Sequence, residues 1–209
     1  MTSSQITKLK EYNACDISDA LLKLQVPNSG FLSDLVLRSP PPNSQDTGII
    51  IAPASTVTFV SKSHHAAQAG DVGSESESNI PKDKHWVDLC VPGSIVVMSQ
   101  PPAQKCAVLG GIMGVRMGVL GVWSQGTSTV GAGAEAKPHA LQTTLDIEGT
   151  KVTPGDLVFS DPSNGVVVIP KEKVGDVLDL LPGLVGADER VKEAVEGGMD
   201  VKEAFERFR

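Results

Sequence analysis

Few side chains in this chain stand at a spacing that does chemistry by itself, and the backbone offers the more specific signal. Gly110-Gly111 precede Ile112-Met113-Gly114-Val115-Arg116-Met117. If a helix begins at the paired glycines, its first amide N–H groups have no internal partner and point outward. They then form a ready site for a carboxylate or phosphate. Glycine adds to this because no side chain stands between ligand and backbone. Gly110, Gly111, Ile112 and Met113 are therefore the candidate substrate-binding residues. From the glycines alone, a strand-to-helix turn that needs them for close packing and binds nothing is the simpler reading.

The titratable side chains point less clearly. Asp16 and Asp19 read as capping or first-turn carboxylates of a helix, ahead of any catalytic role. His64 and His65 are adjacent, and neighbours in sequence rarely face one ion, so they read as solvated. Asp88 reads as a loop carboxylate. Glu135, Lys137 and His139 cluster in a small, polar stretch, and Gly126-Thr127-Ser128 could donate hydroxyls to an anion or merely turn the chain. Cys15, Cys90 and Cys106 form no close-spaced pair, which fits reduced, buried thiols of an intracellular protein better than a disulfide framework or a zinc site. No catalytic residue or metal ligand stands out from spacing.

The elements that must position these groups follow from periodicity and punctuation. Ile95 to Met98 is an apolar run bounded by Pro92-Gly93 and Pro101-Pro102, the pattern of a fully buried strand. Ser3 or Ser4 can cap a first helix, and a second starts at Asp16 or Ser18 and runs toward Pro27. Pro40-Pro41-Pro42 lie in a loop over residues 39–47. Ile49 to Ile51 and Ser55 to Val60 read as sheet. Residues 61–84, rich in serine and acidic side chains, read as a surface excursion. Val122-Trp123-Ser124 reads as a short strand. Glu148-Gly149 joins Leu145-Asp146-Ile147 to Lys151-Val152 as a hairpin. Strands at Leu157 to Phe159 and Val166 to Ile169 follow. Over residues 171–209 the chain is helical: Val174, Val177, Leu178 and Leu181 share a face, and Pro182 kinks or divides the helix. Asp200 with Glu203 reads as a capping box for a last helix.

One sizeable domain over residues 1–209 accounts for the length, and no internal repeat appears. Net charge is −7, from 25 acidic and 18 basic residues, which argues against nucleic acid or an anionic membrane as partner. Residues 1–10 lack an apolar signal core, and the most apolar stretch, Val108 to Trp123, is too short and broken to span a bilayer. The expected location is cytoplasmic.

Seven short segments occur here in a characteristic order. They are Asp16-Ile17-Ser18-Asp19-Ala20, Pro92-Gly93-Ser94, Ser99-Gln100, Gly110-Gly111-Ile112-Met113, Gly126-Thr127-Ser128, Pro154-Gly155-Asp156 and Asn164-Gly165-Val166-Val167-Val168-Ile169-Pro170. Together they resemble the RraA-like family, most closely its fungal branch. That family comprises 4-hydroxy-4-methyl-2-oxoglutarate aldolases, oxaloacetate decarboxylases and the regulator of ribonuclease E activity. The resemblance implies an α/β fold, a swivelling β/β/α domain flanked by N-terminal and C-terminal helices. It implies a homotrimer or homohexamer with sites between subunits, and a small 2-oxo acid as ligand. It also implies Mg2+ or Mn2+, a Lewis acid that stabilises the enolate left when a C–C bond breaks. In the resemblance, the Gly110 to Met113 amides hold the substrate carboxylate.

The chain departs from the family in the middle. Relatives place an apolar strand, then Gly-x-x-Arg-Asp, then a helix, between the segments matching Met113 and Val122; there the Arg contacts substrate and the Asp holds the metal. Here Leu120-Gly121 runs directly into Val122-Trp123, and no Arg-Asp pair occurs anywhere in the chain. Arg116 precedes the missing strand, so alignment does not make it the substitute; Asp161 and Glu135 are the remaining carboxylates to consider near a metal. Three expectations follow: a metal-dependent lyase of short 2-oxo acids, a non-catalytic RraA-type binding or regulatory module, or a shortened, catalytically dead member.

Overall fold

The computed structural model describes residues 2–39, 48–62, 77–119 and 121–209. Thr2 caps α1 (Ser3–Leu9), one residue ahead of the serines suggested by the sequence, in a reciprocal box with Gln5. Asn13 caps α2 (Ala14–Lys23). Its side chain accepts from the amides of Cys15 and Asp16 at 2.8 and 3.1 Å, and the Asn13 amide donates in turn to the Asp16 carboxylate at 3.0 Å. The helix thus begins ahead of the expected Asp16 or Ser18, and Asp16 is its first-turn acid.

β1 (Phe31–Leu32) and β2 (Val36–Ser39) precede β3 (Ile50–Ser61), one continuous strand where the sequence suggested two. β3 changes neighbours along its length. Its first residues, Ile50 to Pro53, pair antiparallel with β9 (Leu157–Asp161), while Ala54 to Thr58 run parallel to β4 (Ile95–Ser99). Its far end pairs antiparallel with β6 (Ala136–Leu141), with a register shift between Thr58 and Phe59, beside Pro138. Proline cannot donate to a ladder, so a bulge there is its usual accommodation. With β10 (Gly165–Ile169), the six-stranded sheet runs β1-β10-β9-β3-β4, and β6 joins on β3. β5 (Val122–Ser124) pairs with β2, outside this sheet. β7 (Leu145–Ile147) and β8 (Thr150–Val152) form the expected hairpin through Glu148 and Gly149, both at positive φ, as a tight hairpin turn requires.

Side-chain alternation divides the core. Leu157, Phe159, Val167 and Ile169 face the helices, meeting Leu9, Ile17 and Leu21, and Val177 and Leu181 of α4 (Val174–Glu196). Val158, Val166 and Val168 face the other way, onto Leu145, Val152 and Trp123. β4 is split likewise: Ile95 and Val97 join this second cluster, while Val96 and Met98 join a third around Phe59 and Trp86. Packing on both faces explains why the run carries no polar alternation. Gly30, at φ +71°, passes so close to β10 that a Cβ would collide with the Val168 carbonyl.

α4 continues through Pro182 without dividing; Val177 and Leu181, both fully buried, hold the turn that the proline leaves one hydrogen bond short. Asp200 is the N-cap of α5 (Val201–Phe208), but its side chain makes no capping bond, so the expected box with Glu203 is not formed. Between β3 and β4, His64 and His65 lie outside the described residues. The end of that excursion is fastened to β6, where Asn79 exchanges hydrogen bonds with the Leu141 backbone at 2.8 Å in both directions. Among the described residues, no helix is long and apolar enough to cross a membrane.

Candidate functional site

α3 (Gly111–Met117) opens where the paired glycines suggested, with Gly110 as N-cap in extended conformation and no side chain capping it. The first helical bond runs from the Gly114 amide to the Gly110 carbonyl at 3.0 Å, so the amides of Gly111, Ile112 and Met113 precede the ladder. Gly110 and Gly111 are exposed. A Cβ at Gly110, Gly111 or Gly114 would meet nothing within 4 Å, and neither glycine of the pair takes a positive φ. Close packing therefore does not explain the pair. Helix propensity does not explain it either, since glycine costs about 1 kcal/mol against alanine inside a helix. What the two glycines provide is bare, approachable backbone.

The helix is held from beneath. Met113 and Met117, one turn apart, pack on the cluster of Phe59, Trp86, Cys106 and Met98, and Trp86 meets Phe59 edge-on at 5.6 Å between ring centres. Trp86 also opens the 3-10 turn Trp86–Leu89. This turn and α3 border a cleft of about 250 Å³ lined by His85, Val87, Asp88, Ile112, Met113 and Arg116. Within it Arg116 Nε donates to Asp88 Oδ1 at 2.6 Å. Sequence reasoning gave Asp88 no partner and Arg116 no role. The available signal was the helical spacing of Ile112, Met113 and Arg116, which puts all three on one flank once Gly111 starts the helix.

The other candidates lie elsewhere and are otherwise engaged. Asp161, 3 % exposed, accepts from the Ala14 amide at 3.0 Å, the Ser163 amide at 2.9 Å and Asn164 Nδ2 at 2.8 Å. Burial pushes its carboxyl up, but these hydrogen bonds outweigh it and hold the group below its ordinary value. Glu135 accepts from the Lys105 amide at 2.8 Å. Asp19 pairs with Arg209 at 2.7 Å. The Ser128 hydroxyl accepts from the Val130 amide within its own loop. Burial, then the charges of Asp16, Asp161 and Asp19, push the Cys15 thiol up; burial does the same to Cys90, so neither has the thiolate character of a nucleophile.

The residues present do not fit a resident divalent cation. Among the described residues no three His, Cys, Asp or Glu side chains converge as a ligand set. Among the described residues lining the cleft beside α3, the one carboxylate is Asp88, already bound to Arg116. Magnesium and manganese take several oxygen ligands, so no chemical step here is routed through a metal.

Comparison with known proteins agrees on shape more than on sequence. No known family's profile matches the chain. A 67-residue stretch, 32% of the chain, is 34% identical to protein DlpA of Legionella pneumophila, and spans only 11% of that protein's length. Among solved structures, an uncharacterized protein from Pseudomonas syringae pv. tomato superposes with a TM-score of 0.71 at 21% identity, over 98% of both chains. A protein described among novel cellulases from gut-associated microbes superposes at 0.69 with 13% identity, over 90% of this chain and 87% of its own. RraAS2 of Streptomyces coelicolor, an unusual member of the RNase ES inhibitor RraA protein family, superposes at 0.67 with 18% identity, over 95% of this chain and 99% of its own. One fold carrying such different descriptions does not specify an activity. What the likeness establishes is that this chain has an RraA-like fold, a mixed α/β body of helices on a largely antiparallel sheet.

Proposed function

We propose that this protein binds a small 2-oxo acid by its carboxylate at the amides of Gly111, Ile112 and Met113. The reading includes assembly as a homotrimer or homohexamer. The observation that carries it is the open start of α3: uncapped, exposed, and built on two glycines that neither packing nor backbone geometry requires. Converging N–H groups at a helix start favour an anion through hydrogen bonds and the helix dipole. Binding is the function this geometry supports. Catalysis needs electrostatic support for the charge that develops on the departing carbon, and among the described residues no converging set of His, Cys, Asp or Glu side chains stands at the start of α3 to hold a metal that would supply it.

The test is amide-resolved NMR with pyruvate. Saturable shifts centred on Gly111, Ile112 and Met113 are the expected result; unmoved amides there at millimolar pyruvate would overturn the reading. The metal-dependent lyase implied by the resemblance of the sequence motifs is the competing reading, and the lack of a converging ligand set among the described residues weighs against it. Chelator-sensitive decarboxylation of oxaloacetate with added magnesium or manganese would establish it over simple binding.

A further inference from the structure

The flank of α3 differs in chemistry from its start. The cleft between α3 and the turn Trp86–Leu89 has apolar walls from Val87, Ile112 and Met113, with Arg116 and Asp88 at its rim and His85 beside them. Ile112 is 81% exposed, an unusual position for a large aliphatic side chain that also lines a cavity. Arg116 spends only Nε on Asp88. Its two Nη groups keep their N–H donors in one plane, the fork that takes a carboxylate end-on. Asp88 does two things at once. It fixes the guanidinium plane, and its negative charge beside the cation disfavours a ligand that carries a second anionic group. His85 Nδ1 accepts from the Val87 amide at 3.3 Å, which leaves its proton on Nε2.

We propose that this cleft is a second binding site, selective for a small monocarboxylate with a short branched apolar chain. The carboxylate sits on the Nη edge of Arg116 and the chain lies against Val87, Ile112 and Met113. The volume, below that of pockets for drug-sized molecules, limits the ligand to a few carbons. One cation with a fixed neighbouring carboxylate excludes dicarboxylates. The cleft uses the side chains of Ile112 and Met113, whereas the start of α3 uses their amides.

Isovalerate, succinate and 3-methylbutan-1-ol separate the contributions in the full-length chain. Isovalerate is expected to bind saturably and to shift the side-chain signals of Val87, Ile112, Met113 and Arg116 Nε. Succinate, with a second charge, and the alcohol, with none, are each expected to bind about tenfold more weakly or worse. Arg116→Met, which keeps the aliphatic stem, is expected to weaken isovalerate by about tenfold, and Arg116→Lys by less. Circular dichroism confirms that each variant is folded. Succinate binding as tightly as isovalerate, full affinity in Arg116→Met, or no saturable isovalerate binding would each overturn the proposal. The Gly111 amide reports only the helix start and Arg116 Nε only the cleft, so pyruvate shifts at Gly111 that persist in Arg116→Met let each site fail on its own evidence.

Discussion

The carboxylate of Asp161 accepts the amide hydrogen of Ala14 at 3.0 Å, across 147 residues of sequence. It ties the end of β9 to the first turn of α2, while the same side chain closes the turn at Ser163 and Asn164. Because these bonds favour the ionised form, the folded carboxyl titrates below its unfolded value of about 3.9. The stabilisation is complete above that unfolded value and is lost as pH falls through the folded one. The thermal midpoint is expected to drop below about pH 4, and Asp161→Asn to flatten that slope. The same variant is expected to cost about 1–3 kcal/mol at neutral pH, from donors left poorly paired. Denaturant melts at pH 7 and pH 3 check both.

Gly111→Ala separates stability from binding. At this first helical position alanine meets no neighbour, so the variant is expected to gain up to about 1 kcal/mol in stability. The added methyl stands between ligand and backbone, so pyruvate affinity is expected to fall severalfold. Gly114→Ala gains similar stability, its methyl lying one turn further along. A Gly111→Ala protein that binds pyruvate normally would remove the helix start as a site.

Trp86 supports α3 from beneath. It is 3% exposed and stacks edge-on with Phe59. Trp86→Ala is expected to cost about 3–5 kcal/mol and to loosen α3, read as faster amide exchange over residues 111–117. Trp86→Phe should lose much less on both measures.

Trp123 Nε1 donates to Ser160 Oγ at 2.8 Å, joining β5 to β9. Ser160→Ala leaves that indole N–H without its partner and is expected to cost about 1 kcal/mol. A shift in Trp123 fluorescence, with Trp86 replaced by Phe in the background, checks it.

Much of the fold was legible because burial on two faces writes a plain signature. β9 and β10 are buried on both sides and their apolar runs announced themselves, whereas β4, expected to be fully buried from the same signature, is only half-buried along its whole length, with β3 its one strand neighbour among the described residues. The start of α3 was legible from Gly110-Gly111, although packing, the simpler explanation for the pair, proved absent. β6 drew no strand reading because Lys137, Pro138 and His139 interrupt any apolar alternation, and only its pairing with β3 makes it a strand. The cap of α2 was missed because Asn13 competes with two plausible acids just after it. Least legible was Arg116 with Asp88: their 28-residue separation follows no local period, and only the turn at Trp86 brings them together. The metal implied by resemblance has a local pattern, Gly-x-x-Arg-Asp, that this chain lacks, and the ring assembly has no local residue pattern of its own.

β4 is hydrogen-bonded by β3 on one side, and no strand among the described residues lies along the other. A ladder of five uncharged residues left unpaired by the described residues on one margin is a template for an extended chain. This protein's solution behaviour should therefore depend on concentration, with self-association growing along that margin. Pro92 and Pro101-Pro102, standing just beyond each end of the strand, act as stops that keep such growth from lengthening the strand itself.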